Sequence, residues 1–599
     1  MPPFTFMRRP AFLFFLSIFL LCSSCLSRKA DYGIPDFTDE RIFVKETEDI
    51  AKERETSPLR SLWRAALLVR ETDARPDDFE HKDDCIRRAR ALFDECASYT
   101  QKLVYEKNRD KKYAEALRFA ESLETAYSAL GLAFEPSAEF AKARIEAETA
   151  FKNLPVLPSR QADKTLADLI QGSVTVWVDL GVKVEKGMGY ASRVIGSGFF
   201  IDERGYIITN HHVIADLVDP KYEGYGKLYI KKASDSETRI PAKVIGWDKT
   251  LDLALLKTEI KPPSVFTLGS SENLAVGERI YAIGSPAGLE STITSGIVSS
   301  FDRKLLSTVS VMQIDAAVNS GNSGGPLVNE KGEVQGIVFA GLPAFQGLNF
   351  AIPVEYLKTV LELLYSGGET EHAWMGAYGR TFKHKPSDKT GAGVEILYLM
   401  PGSSASRAGL LPGDIVSAVN GKAVRNIEDL QFVLIGCRPD SLARIEYRRP
   451  AKTETAPPDD KVRADNKTPA DGKQQSADDK VGAQIPGEAL VYLDVRSEYP
   501  GKTIYEREAE YRMFYPLFGM ELVHSSVGNK RKFTVRSVVK GGIADESGFS
   551  PNDPVEIIRT KLFEDEGAVY AELYTKKRKS GYLDVNLAVG APLDSLYLF

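Results

Sequence analysis

The 599-residue chain contains only five cysteines, which excludes a small scaffold stapled by disulfides. It has no marked excess of charge. Its 77 basic against 83 acidic residues leave a net charge of −6, without the basic footprint of a nucleic-acid binder. The apolar run from Ala11 to Leu21 is about eleven residues long, short of the roughly 20 that a membrane-spanning helix needs. From Asp31 to about Ser159 there is no strand alternation, and no Gly-rich turn chemistry until Gly131. Between Pro450 and Pro486 there is almost no large apolar side chain, so that stretch cannot bury enough surface to order itself. What is present, 43% hydrophobic and 27% charged, is ordinary globular composition. At about 150 residues per domain, the length predicts three to five domains.

The first 25 residues read as an export signal. Arg8 and Arg9 precede the apolar run, which only Ser17 interrupts, and small residues and cysteines follow at Cys22-Ser23-Ser24-Cys25. A retained anchor helix is the alternative. The Leu21–Cys25 stretch resembles a bacterial lipobox. That resemblance implies cleavage before Cys25, lipidation of the Cys25 thiol, and a mature chain held to a membrane on the periplasmic side of the cell envelope. Residues 26–160 read as helical. Leu59–Arg70, Cys85–Tyr99 and Tyr113–Leu130 repeat apolar residues at steps of three and four. Cys85 and Cys96 on one continuous helix stand about 16 Å apart at 1.5 Å per residue. A disulfide needs Cα atoms within about 7 Å, so none is expected. Spacer and assembly module are both open as roles for this region.

From Ala167 onward, short apolar strands alternate with Gly, Asp and Asn turns, and residues 165–365 read as an all-β domain. Three stretches in it carry chemistry. Thr209-Asn210-His211-His212-Val213 places a histidine at a strand end. Asp248-Lys249-Thr250-Leu251-Asp252 precedes the apolar run Leu253–Leu256. Asn319-Ser320-Gly321-Asn322-Ser323-Gly324-Gly325-Pro326 sets a serine at the tip of a glycine-rich turn. A serine hydroxyl becomes a nucleophile when a base takes its proton. The base must be held neutral and in one tautomer, which a carboxylate on its other ring nitrogen achieves. Backbone N–H groups beside the serine stabilise the developing oxyanion, by roughly 3 kcal/mol each. His212, Asp252 and Ser323 follow one another in the chain order of chymotrypsin-like β-barrels, with intervals that leave room for two barrels. His211 and Asp248 are the alternatives for base and carboxylate.

The segments GSGFFID, TNHHVI, DLALLK, AIGSPAGLESTITSGIVSS and GNSGGPL together resemble the HtrA family of periplasmic serine proteases. The resemblance covers most of this domain. It implies His212 as general base, Asp252 as its orienting carboxylate and Ser323 as nucleophile. The N–H groups of Gly321 and Ser323 become the oxyanion hole, with Asn322 shaping the loop and Asp315 supporting it. No metal or cofactor is implied. The segments Gly336–Ala340 and Gly347–Pro353 would line the first specificity pocket. They are apolar, which predicts a small or medium aliphatic residue before the scissile bond. The segment Gly181–Val194 between the first two strands is short where some members of the family carry a long regulatory loop, so the resemblance implies a simple homotrimer rather than a caged assembly. Four residues, Ser320 to Ser323, must adopt one backbone arrangement for the oxyanion hole to exist, and that loop is the expected point of regulation.

Residues 372–497 resemble an HtrA-type PDZ domain. Met375, Gly376 and Ala377 would be the loop that receives a peptide end while the peptide adds a strand, and Glu428–Ile435 the helix flanking the groove. The segment 450–486 reads as a disordered insert in a hairpin of this domain, or alternatively as a linker. Cys437 reads as a buried free thiol. Residues 506–599 resemble a second, degenerate PDZ domain, with Leu517–Met520 in the position of the peptide-end loop. The expected architecture is therefore an N-terminal α-helical region, a chymotrypsin-like double β-barrel and two α+β PDZ domains. The expected function is a serine endopeptidase of the bacterial envelope that degrades unfolded or mislocalised proteins under stress. Its expected partners are such proteins, peptide C-termini and a membrane. The alternatives are a site-specific signalling protease, and a chaperone whose protease domain is latent.

Overall fold

The computed structural model describes residues 40–75, 81–158, 165–185, 187–222, 224, 226–285, 292–304, 309–341, 348–382, 391–451, 484–525, 531–578 and 582–599. The export signal with Cys25, and nearly all of the 450–486 insert, lie outside these residues.

The described residues of the N-terminal region fold as five helices: α1 Glu40–Glu53, α2 Pro58–Asp73, α3 Lys82–Arg109, α4 Tyr113–Ala129 and α5 Ala138–Lys152. In α3 the three- and four-residue steps place Cys85, Ala89, Leu92, Phe93, Cys96 and Val104 on one buried stripe. Asp83 and Asp84 in its first turn and Lys107 and Arg109 in its last match the helix dipole. The helix is continuous, and both cysteines are free. No helix among the described residues is long and apolar enough to cross a membrane.

After the one-turn helix α6 (Leu166–Ile170), the domain expected to be a protease begins with β1 Ser173–Glu185, β2 Met188–Asp202 and β3 Tyr206–Thr209, then α7 His211–Val218. It continues with β4 Lys227–Lys232, β5 Asp235–Pro241, β6 Lys243–Asp248 and β7 Leu253–Lys257. Strands β8 Arg279–Gly284, β9 Thr292–Arg303, β10 Val311–Ile314, β11 Pro326–Val328, β12 Val334–Gly341 and β13 Asn349–Pro353 form its second half, and α8 Val354–Ser366 closes it. The second half is a closed barrel, β10-β13-β12-β11-β8-β9. The first is an eight-stranded sheet, β14-β6-β7-β3-β2-β1-β4-β5, whose edge strand β14 (Gly368–Glu369) comes from beyond the domain. Leu253 to Leu256 are fully buried because β7 is a central strand with both faces covered. The Gly181–Val194 segment is itself part of the sheet. Residues 181–185 pair with 188–192, so the ladder runs almost to the tip of a long hairpin.

The domain expected to be the first PDZ domain holds β15 Ala373–Trp374, β16 Ala377–Thr381, β17 Val394–Leu399, the short α9 Ser404–Arg407, β18 Ile415–Val419, β19 Lys422–Ala423, α10 Ile427–Ile435, β20 Ser441–Pro450 and β21 Gln484–Val495. Strands β20 and β21 pair antiparallel from Ser441↔Leu493 to Pro450↔Gln484, so residues 451–483 join the two arms of one hairpin. The last domain has α11 Pro500–Arg507, α12 Phe514–Phe518, β22 Met520–His524, β23 Lys532–Val538, α13 Ile543–Glu546, β24 Pro554–Phe563, β25 Ala568–Arg578 and β26 Tyr582–Pro592. Between β24 and β25 it carries only a 3-10 turn, Glu564–Glu566, where the first domain has the groove helix α10 between β19 and β20.

The domains share cores. Trp63 on α2 donates from its indole N–H to the Leu490 carbonyl at 2.8 Å and stacks on Tyr492, so the helical region docks on the β20–β21 hairpin. Leu442 N–H donates to Ser122 Oγ on α4 in the same interface. The chain after α5 also reaches the protease domain, where Val156 N–H donates to Asp202. Tyr356 on α8 packs edge-on against Phe432 on α10, joining protease to PDZ domain.

Candidate active site

Three loops from the two halves of the protease domain converge. α7 begins directly after β3, which puts His212 on its first turn. Asp252 stands in the turn before β7 with φ +53, a left-handed conformation in which aspartate is tolerated better than most residues. Asn210 Nδ2 donates to the Asp252 carbonyl at 2.8 Å and fixes that turn. Asp252 Oδ1 then accepts the His212 backbone N–H at 2.8 Å, while Oδ2 lies 2.7 Å from His212 Nδ1. One carboxylate thus grips the histidine at both backbone and ring, which leaves Nε2 to face the reaction.

His211 takes no part in this contact. It is half-buried, its Nε2 is enclosed with no hydrogen-bond partner among the described residues, and burial pushes its pKa below the ordinary histidine value. Asp248 is fully buried and engaged elsewhere, accepting the Leu251 N–H at 2.9 Å and meeting His372 Nε2 at 3.0 Å. Neither alternative belongs to the His212–Asp252 pair.

The nucleophile loop is held by β2. Ser197 N–H donates to the Ser323 carbonyl at 2.7 Å, and Ser197 Oγ donates to the Gly321 carbonyl at 2.6 Å. The same Oγ accepts the Ser285 N–H from the second half at 2.9 Å. Gly196 shows how near the two halves come. A Cβ there would lie 2.6 Å from Val213, the neighbour of His212, and 3.1 Å from the Ser323 carbonyl. The Gly-Ser-Gly motif is therefore a clamp, legible in the sequence as small residues in a buried strand but not as a contact to a loop far along the chain.

Ser323 is half-buried. Its Oγ donates to the Phe339 carbonyl at 3.2 Å, and among the described residues no hydrogen bond joins it to His212. The N–H groups of Gly321 and Ser323 likewise have no partner among the described residues, and Gly321 has φ +103. Asn322 is buried in the loop with its Oδ1 against Gly284, where a Cβ would stand 2.6 Å away. Asp315 takes the Ile297 N–H at 2.6 Å and ties β9 to the end of β10. Of the expected pocket, Gly336 to Ala340 lie on β12, which pairs with Asn349–Pro353 on β13. Gly347 is outside the described residues.

In the PDZ domain, Met375 is fully buried, and Gly376 has φ +81 at a close approach to Ser403. Ala377 N–H donates at 2.8 Å to the carbonyl of Phe599.

Residues 196–337 match the trypsin-like peptidase domain family, and residues 395–449 a PDZ domain family. Residues 501–593 match the TP0546 family PDZ domain, and residues 41–145 a domain family of unknown function. A probable periplasmic serine endoprotease, DegP-like, from Ectopseudomonas mendocina (strain ymp) is 38% identical over 264 residues, covering 43% of this chain and 54% of the relative. A protein of the same description from Pseudomonas putida (strain GB-1) is 36% identical over 281 residues, covering 44% and 57%. The chain thus spans little more than half the length of these relatives. The solved structure of the HtrA-type protease AlgW with a decapeptide aligns at a TM-score of 0.40 and 22% identity, over 55% of this chain and 98% of that one.

Proposed function

We propose, from the premise that the protease and first PDZ domains of this chain are those of an HtrA-family serine protease, that the protein is a serine endopeptidase of the bacterial periplasm acting on unfolded or mislocalised envelope proteins. The observation that carries this reading is the two-point grip of Asp252 on His212, opposite a serine in a glycine-rich loop. Ser323 Oγ attacks the scissile carbonyl and passes its proton to His212 Nε2. Asp252 stabilises the imidazolium that forms, and the N–H groups of Gly321 and Ser323 take the oxyanion. His212 then protonates the leaving amine. Water, deprotonated by the same histidine, hydrolyses the acyl-enzyme. The apolar pocket along β12 and β13 selects a small or medium aliphatic side chain before the cut. In this reading the chain works as a homotrimer tethered through lipidated Cys25.

A second reading, regulated cleavage of specific targets, draws on one observation. Ser323 Oγ is engaged by the Phe339 carbonyl rather than by His212, so a rotation of that side chain precedes each acylation. The test of the endopeptidase reading is hydrolysis of an unfolded, fluorescently labelled protein by the full chain and by Ser323→Ala. Loss of turnover in Ser323→Ala is expected. Equal turnover by both would refute the reading.

A further inference from the structure

The peptide groove of the first PDZ domain is filled by the chain itself. Residues 597–599 run antiparallel to β16 as an added strand. Ala377 N–H donates to the Phe599 carbonyl at 2.8 Å, Phe599 N–H to the Ala377 carbonyl at 2.9 Å, and Gly379 N–H to the Tyr597 carbonyl at 3.0 Å. Tyr378 stands opposite Leu598 in this ladder. From the other wall of the groove, Gln431 on α10 donates its Nε2 to the carbonyls of Leu596 at 2.7 Å and Leu598 at 3.0 Å. Leu596 and Phe599 are buried in the core of this PDZ domain, not that of the domain they belong to by sequence. A Cβ on Gly379 would clash with the Glu395 carbonyl and stand 3.0 Å from the Phe599 ring, so both the neighbouring strand and the seated ring favour glycine there. Tyr597 is met from the protease side, where Lys304 Nζ lies 3.2 Å from its hydroxyl and 5.0 Å from its ring centroid. Backbone pairing on one wall, amide donors on the other and an apolar anchor in the floor make up strand addition as peptide-binding domains practise it.

We infer that the segment 596–599 is the resident ligand of the first PDZ groove, and that an external peptide enters only by displacing it. The side chains seated there define the competitor. It carries a large aromatic or aliphatic residue at the Phe599 position, tolerates tyrosine two places earlier, and is apolar three places earlier. The degenerate last domain then has a function that its missing groove helix does not exclude, namely presenting this segment to its neighbour. This inference rests on reading residues 372–497 as a peptide-binding PDZ domain and is independent of whether the chain hydrolyses anything.

A tethered ligand competes at an effective concentration on the order of 1 mM, so against an intrinsic Kd on the order of 10 μM it weakens external binding about 100-fold. The experiment is fluorescence-anisotropy binding of a labelled peptide with the sequence of residues 594–599. It uses the full chain carrying Ser323→Ala, which prevents cleavage, with and without Phe599→Glu. The Phe599→Glu chain is expected to bind at least tenfold more tightly, and adding Gln431→Ala to it to weaken binding again. Equal affinity in the two chains, whether tight or undetectable, overturns the inference. Hydrogen exchange in the chain with Phe599 in place supplies a measurement that does not depend on how the variant folds. The amides of Ala377 and Gly379 are expected to be protected without added peptide and to keep that protection on dilution. Their exchange at the rate of open backbone overturns the inference.

Discussion

His372 Nε2 meets Asp248 Oδ1 at 3.0 Å, with both side chains buried, across the junction between protease and PDZ domains. Asp248 accepts the Leu251 N–H in the turn that ends at Asp252. His372 leads directly into β15 and the Met375–Ala377 loop, so the two functional loops are anchored to one pair. Removing His372 leaves the buried Asp248 with the Leu251 N–H but without its side-chain partner, and breaking a buried pair typically costs about 3–5 kcal/mol. His372→Ala is expected to lower unfolding stability by about 3 kcal/mol in urea titration. A loss below about 0.5 kcal/mol would show that water replaces the histidine at no cost.

The two aspartates of that turn separate by chemistry. Asp252→Asn keeps the shape but removes the charge that holds His212 in its working tautomer, and a loss in kcat on the order of 10⁴ is expected. Asp248→Asn touches neither His212 nor Ser323, and its kcat on a peptide substrate is expected to stay within about tenfold of the parent. The reverse ranking would exchange their roles.

Ser197 is not a reacting group, yet it positions one. Ser197→Ala keeps the backbone bond to the Ser323 carbonyl and loses the hydroxyl links to the Gly321 carbonyl and the Ser285 N–H. An unpaired buried donor costs about 1–3 kcal/mol, so a fall in kcat of roughly 10- to 100-fold with little change in KM is expected. A change in KM alone would mean that the loop holds its shape unaided.

Cys96 and Cys437 give a readout of intactness. Burial raises both thiols to about 11, the Cys96 side chain being enclosed and Cys437 half-buried. The thiolate is the reactive form, so at pH 8 about one thiol in a thousand is reactive in the folded chain, against roughly a quarter at an unperturbed value near 8.5. Reaction with an aromatic disulfide reagent is expected to be slow in the native protein and prompt in concentrated guanidinium. Prompt native labelling of Cys96 would show that the α3 core opens.

The candidate site was legible where short motifs carry it. A histidine at a strand end, an aspartate before a buried strand and a serine among glycines each need only a few neighbours to be read. The all-helical character of the N-terminal region was legible for the same reason, since its periodicity is local. Illegible were contacts between distant parts of the sequence. An amphipathic stripe on α2 announces an apolar face but not that Trp63 covers it with a hairpin from a PDZ domain near the other end of the chain. Nothing near His372 marks it as a partner for Asp248. Tyr597-Leu598-Phe599 reads as an ordinary apolar stretch until the ladder to Ala377–Gly379 is seen. The reading of Gly181–Val194 as a connection between strands missed its pairing because glycines suggest turns, whereas a bulge between Asp179 and Gly181 carries the hairpin onward.

Strand β14 consists of only two residues, Gly368 and Glu369, yet it pairs in parallel with Gly246 and Trp247 on β6, and Thr370 N–H extends the ladder to the Trp247 carbonyl. The cut that modular thinking suggests, just after α8, would strip an inner strand of its cover. It would leave a raw row of amides and carbonyls on the excised protease, ready to recruit another copy. A fragment made that way would be judged by its tendency to clump, and its behaviour would say little about the enzyme from which it was taken.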